Sequence, residues 1–239
     1  MPLHIAYGDP FALRARCEVA TVRTTRPEET AYDPGAVVPA GQWRPMTDTD
    51  VKAVTAPRRP VDSTLVEIIR PPHREGLPLE DLTRPLGDPD AVYLGQALAK
   101  PDMITTTDNY AVGRLLGLHL DNWDKLSYAD KHTGRRRLCL NLGPGNRYII
   151  LGAIVSQAVC RAVHPDDHTQ CYPHTDDYRA YVASGRSIRI VRIHLAPGDG
   201  YLAPTEYLLH DGSTEGQDQP SAAAFWLGRW TRGVLPSLV

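Results

Sequence analysis

Short apolar runs broken by turn residues recur through the second half of this chain. From Tyr110 onward, stretches rich in Ile, Val, Leu and Tyr alternate with Gly, Pro, Asn and Asp at 110–120, 137–142, 147–155, 187–195, 201–210 and 222–230. Runs of that length and spacing predict antiparallel strands of a sandwich or barrel. Asn141-Leu-Gly-Pro-Gly-Asn146 predicts a hairpin turn, because Gly and Asn tolerate positive φ and Pro pre-sets the entry. Pro197-Gly-Asp-Gly200 predicts another turn. In the first half, 17–23 and 63–70 read as strands, the second stopped by Pro71-Pro72. The segment 88–100 carries apolar residues at Val92, Leu94, Ala97 and Leu98, and its Asp88-Pro89 opening suits a helix N-cap followed by Pro, so a helix is predicted there. Residues 24–60 are rich in Pro, Thr, Asp and Gly without a sustained period and read as loops. The expected organisation is a single domain over 1–239, mainly β with a few flanking helices. Its β core spans 110–232, and 1–109 supplies strands, loops and a helix packed upon it.

Composition narrows the function classes. A hydrophobic fraction of 42% supports a proper core, and a net charge of −2 gives no basic excess for nucleic acid or an anionic membrane. The opening MPLHIAYGDP lacks the basic and apolar parts of a signal peptide, and no window approaches the roughly 18 apolar residues of a membrane span. Four cysteines lie scattered without CxxC pairing, so a cytoplasmic location is expected. There is no GxGxxG or P-loop, and Ser213 does not stand in a GxSxG elbow, which disfavours nucleotide binding and nucleophilic hydrolysis.

Chemistry concentrates at Leu118-His119-Leu120-Asp121. Side chains at i and i+2 of a strand share a face, so imidazole and carboxylate converge while Leu120 turns away. A third ligand must come from another strand, and His210 closes the run 201–210. Two histidines and one carboxylate suit ferrous iron, because they leave coordination positions open for a cosubstrate and O₂.

These residues resemble the Fe(II)/2-oxoglutarate-dependent dioxygenases of the double-stranded β-helix type (jelly-roll, cupin-like), which include the phytanoyl-CoA-hydroxylase-like and clavaminate-synthase-like groups. The resemblance rests on His119-Leu-Asp121, Pro197-Gly-Asp199 and Leu208-Leu-His210-Asp-Gly, and covers 110–230. It implies that His119, Asp121 and His210 are the catalytic metal ligands, with Fe(II) and 2-oxoglutarate as cofactors. It also implies O₂ and a small molecule as substrates, an amino acid or natural-product intermediate. A carboxylate at Asp121 implies hydroxylation, desaturation or ring formation rather than halogenation. The family's clamping cation, about ten residues past the distal histidine, is missing here, where Pro220-Ser221-Ala222 stands. Arg147 and Arg229 are the substitutes, since an Arg fork binds a carboxylate bidentately. Two other readings stay open. One is a metal-dependent cupin enzyme that does not use 2-oxoglutarate (an isomerase, lyase or cofactor-independent dioxygenase). The other is a metal-free β-sandwich binding module.

Asn122 and Trp123, beside the ligand pair, are expected to meet substrate, as is His174. His164, His168, Cys171 and His174 are spaced by four, three and three, which is no standard closed zinc pattern. With Asp166, Asp167, Asp176 and Asp177 nearby, the segment reads as an active-site lid or surface loop. Arg135-Arg-Arg137 reads as a solvated strand start, and Tyr128 and Tyr207 as core or rim residues.

Overall fold

A computed structural model describes residues 3–55, 64–71 and 78–239 of the chain. The first half contributes β1 (His4–Ile5), α1 (Pro10–Arg16), β2 (Cys17–Thr24), β3 (Val37–Pro45), α2 (Asp48–Val54), β4 (Leu65–Ile69) and β5 (Val92–Ala99). The short strands β6 (Asp108–Asn109) and β7 (Arg114–Leu115) lead to β8 (Arg136–Pro144) and β9 (Arg147–Val155). Then come α3 (Ser156–Val163), α4 (Thr175–Ala183), β10 (Arg189–Leu195), β11 (Gly200–Ala203), β12 (Leu208–Ser213) and β13 (Ser221–Gly228). The strands form a six-stranded sheet in the order β1-β4-β11-β8-β13-β5, a five-stranded sheet in the order β12-β9-β10-β2-β3, and the ribbon β6-β7. No helix among the described residues is long and apolar enough to cross a membrane.

Alternation along the strands explains why the two large sheets stack. Ile149 and Leu151 of β9, Val191, Ile193 and Leu195 of β10, Cys139 of β8 and Tyr201 and Ala203 of β11 meet in one buried cluster between the sheets. The opposite face of the five-stranded sheet presents Ile150 and Ile190 to Val159 of α3 and Tyr178 and Val182 of α4. The six-stranded sheet turns Leu138, Leu140, Leu202 and Trp226 toward Leu82, Leu86 and Trp230. Both sheets are therefore covered on two faces.

Several elements differ from the sequence reading. The segment 88–100 forms β5 instead of a helix, pairing antiparallel with β13 from Val92↔Leu227 to Ala99↔Ser221. Asp88 caps a turn there: its Oδ1 accepts from the Asp90 N–H, and its Oδ2 accepts from the Arg229 N–H. Pairing with an otherwise open sheet edge outweighs a weak helical period. The expected loop 24–60 contains β3 and α2, the latter closed by a capping box between Thr47 and Asp50. Residues 56–60 and 63, and Pro72, lie outside the described residues. The first half is thus woven into both sheets rather than laid over them.

The strand expected at 110–120 is reduced to β7 and three isolated bridges, Tyr32↔Leu115, Val37↔Leu118 and His119↔His210. The run 201–210 breaks at Pro204, and its halves, β11 and β12, belong to different sheets. Proline offers no N–H to a ladder, and the Pro204 carbonyl accepts from the N–H groups of Tyr207 and Leu208 as the chain crosses over. The turns at 141–146 and 197–200 likewise carry the chain from one sheet to the other instead of closing hairpins. At the first corner Gly145 is obligatory, since a Cβ would stand 2.5 Å from the Gln219 carbonyl oxygen.

Candidate metal centre

The β12 edge of the five-stranded sheet carries the centre. Leu118 donates its N–H to the Val37 carbonyl, tying the segment to β3, and the next residue pairs with β12. There the His119 N–H donates to the His210 carbonyl (3.0 Å) and the His210 N–H to the His119 carbonyl (2.9 Å). Residues exchanging both hydrogen bonds stand directly opposite, with side chains on one face. That register brings together two imidazoles ninety-odd residues apart in sequence, with ring centroids 4.5 Å apart. Asp121 is fixed by donating its N–H to the Thr205 carbonyl. Its Oδ1 lies 3.9 Å from His119 Nε2, and its Oδ2 lies 3.7 Å from His210 Nε2. All three residues are buried, and one donor atom from each lies within 4.8 Å of the others.

Hydrogen bonding leaves the inward atoms free. His119 Nδ1 donates to the Gly117 carbonyl (2.9 Å), and His210 Nδ1 to the Leu208 carbonyl (3.2 Å). A carbonyl only accepts, so each Nδ1 carries a proton and each Nε2 is turned inward, the orientation found behind metal-bound histidines. Burial pushes the His210 pKa down to about 3, which keeps its ring neutral at neutral pH. Burial alone would raise Asp121, but the charge of Arg137 holds it down at about 2. His210 Nε2 and Asp121 Oδ2 are buried without a hydrogen-bond partner. Native interiors rarely leave such atoms orphaned, and a divalent cation between them would satisfy both.

Two neighbours of the centre, Arg137 and Asp211, escaped the sequence reading. Arg137 is the second residue of β8 and stands two residues before the core residue Cys139, so alternation turns it inward rather than to solvent. Its Nη2 lies 2.7 Å from Asp121 Oδ2, an ion pair misaligned for hydrogen bonding. Arg136 is buried as well, and pairs with Glu67 at 2.7 Å. The expected solvated Arg135-Arg-Arg137 run is therefore corrected: two of the three cations lie inside, each against a carboxylate. Asp211 is completely buried, accepts from Thr107 Oγ1 (2.8 Å), and has Oδ2 3.8 Å from His119 Nδ1. Its place directly after His210 was the available signal.

Arg147 stands two residues before the core residue Ile149, and the same parity turns it toward the centre. With His210, Thr106 and Gly212 it lines a cavity of about 30 Å³, and with Arg137, Trp123, Tyr110, Leu98 and Phe225 an adjoining cleft of about 440 Å³. Gly212 is what admits it: a Cβ there would stand 2.6 Å from Arg147 Nη2 and 2.5 Å from Thr106 Oγ1. Arg147 Nη1 is buried without a partner. Arg229, by contrast, is exposed and donates from Nη1 to the Thr133 carbonyl.

Trp123 is exposed and lines the cleft. Asn122 faces a buried ion pair: its Oδ1 accepts from Lys131 Nζ (3.1 Å), which also donates to Glu206 Oε2 (3.0 Å). His174 is the N-cap of α4, accepting from the Asp176 N–H, and lies outside the lining of both cavities. Tyr207 is buried and donates to Gln157 Oε1, while Tyr128 stacks edge-on with His168. No protein-family model and no curated protein matches the chain.

Proposed function

We propose that the chain is a non-haem Fe(II)/2-oxoglutarate-dependent oxygenase of the double-stranded β-helix type, hydroxylating, desaturating or cyclising a small molecule. The observation that carries this reading is the reciprocal pairing of His119 with His210. It delivers two imidazole Nε2 atoms and the Asp121 carboxylate to one buried point. Three protein ligands on one side leave the other positions of an iron open. Supporting the topology, successive strands β10, β11, β12 and β13 fall alternately in the two sheets.

When bound, iron and 2-oxoglutarate would supply oxidative chemistry toward an unactivated C–H bond. The chain's own residues hold and orient. His119, Asp121 and His210 would ligate the metal, their orientation locked by the Gly117 and Leu208 carbonyls. Arg147, buried with a free Nη1 beside the centre, offers a fork for the far carboxylate of the keto acid. Arg137 keeps Asp121 ionised. Leu98, Tyr110, Trp123 and Phe225 give the cleft an apolar wall suited to the carbon skeleton of a substrate.

Anaerobic addition of Fe(II) and then 2-oxoglutarate tests the reading. A visible charge-transfer band should appear in the wild-type chain and be lost in His210→Ala, and O₂ should then release succinate. Iron binding without a keto-acid band would instead favour a metal-dependent enzyme that does not use 2-oxoglutarate. The small volume beside His210, about 30 Å³, is the observation on that side. Absence of iron binding would overturn both.

A further inference from the structure

The connection between α3 and α4 gathers a second set of metal-binding donors. We propose that Cys160, His164, Asp167 and Cys171 form a zinc site separate from the centre on β12. His164, Asp167 and Cys171 each place a donor atom within 4.8 Å of the other two. Cys160 stands just outside that cluster, and a bound metal would draw it in: it sits one helical turn before His164, whose N–H donates to its carbonyl (2.8 Å), and its side chain is buried beside Cys171. Residues four apart on a helix share a face, so thiol and imidazole leave α3 together.

The intervening loop is wound for the purpose. The His168 N–H donates to the His164 carbonyl, the Gln170 N–H to the Asp167 carbonyl and the Cys171 N–H to the His168 carbonyl. These successive turns curl 164–171 back over the end of α3. Asp177 on α4 accepts from His164 Nε2 (2.8 Å), which leaves Nδ1 for the metal and supplies the carboxylate that typically stands behind a zinc-bound histidine. Two sulfurs, one imidazole and one carboxylate make a tetrahedral, borderline-soft set, which selects zinc over iron or magnesium. Linear spacing obscured the site because its first ligand lies on α3, before the His/Cys-rich segment begins.

The consequence is mechanical. Cys171 is held to Tyr128, whose N–H donates to its carbonyl, and four residues later Thr175 Oγ1 accepts from the Leu120 N–H (3.1 Å), between His119 and Asp121. Zinc at 160–171 would therefore clip the start of α4 that holds this segment.

Cobalt titration of the reduced, metal-free full-length chain tests the site, because Co²⁺ bound to thiolate shows a charge-transfer band that histidine and carboxylate ligands do not give. The full chain should bind two equivalents of Co²⁺ with that band. His210→Ala should bind one and keep the band, so the outcome is independent of the oxygenase reading. Cys171→Ser, at a half-buried position, should lose about half of the band's intensity, one of two thiolates remaining, while its near-ultraviolet circular dichroism matches the parent, and Asp167→Asn should weaken cobalt binding at least tenfold. A chain without the band overturns the proposal, as does a band undiminished by Cys171→Ser. A Cys160–Cys171 disulfide in protein isolated without reductant, with no cobalt band after reduction, also overturns it.

Discussion

Lys131 and Glu206 lie in the interior with no side-chain exposure, their charged atoms 3.0 Å apart, immediately behind the segment that follows Asp121. Lys131→Met should strand the Glu206 carboxylate. The direct attraction at that distance is about 5–6 kcal/mol at an effective dielectric constant of roughly 20. Removing one partner of such a pair typically costs about 3–5 kcal/mol, because the remaining charge stays buried. Here Glu206 Oε1 keeps the Asp124 N–H as a donor (3.0 Å), which places the expected loss toward the lower figure. For a chain of this length, roughly 2–4 °C per kcal/mol converts a loss of about 3 kcal/mol to a fall in Tm of about 6–12 °C. Adding Glu206→Leu to Lys131→Met removes the stranded charge. It should recover most of the stability, short of about 1 kcal/mol for the lost Asp124 hydrogen bond. Urea unfolding of the parent, the two single variants and the double variant, followed by circular dichroism, yields the coupling energy. The reasoning fails if Lys131→Met costs less than about 1 kcal/mol, or if the double variant is no more stable than the single one.

Three further outcomes are expected. His210→Ala should abolish Fe(II) binding at the β12 centre, measured by anaerobic titration, while the far-ultraviolet spectrum stays that of a β protein. Gly212→Val should drive Arg147 and Thr106 apart and weaken 2-oxoglutarate binding at least tenfold with iron affinity largely kept, read from the charge-transfer band; unchanged keto-acid affinity would remove Arg147 from that role. Burial alone would raise the pKa of Asp199, but hydrogen bonds from Arg16 and Arg70 outweigh it and hold the group below its ordinary value. Its contribution to stability is therefore fully present above the ordinary carboxylate range and lost as pH falls below it. Asp199→Asn should flatten the acid limb of a stability–pH profile, and an unaltered limb would refute the assignment.

The sequence by itself determined what is local. Strands β2, β8, β9, β10 and β13 were legible within a residue or two, because a strand that buries one face must alternate and its turns need Gly, Pro or Asn. The same alternation put His119 and Asp121 on one face. Tertiary structure decided the partners. Whether 201–210 is one strand or two, whether Asn141–Asn146 closes a hairpin or turns a corner, and whether 88–100 coils or pairs with β13 depend on which distant edge is open to accept it. Arg137 read as solvated because three successive arginines look like surface; only the core residue Cys139, on the same parity, turns it inward to Asp121. Asn122 and His174 stand close to the chemistry in sequence or composition, yet the fold spends one on the Lys131–Glu206 pair and the other on capping α4. Chain patterning records which face each side chain takes, whereas the neighbours it meets there are fixed by long-range burial and pairing, which no short window of sequence contains.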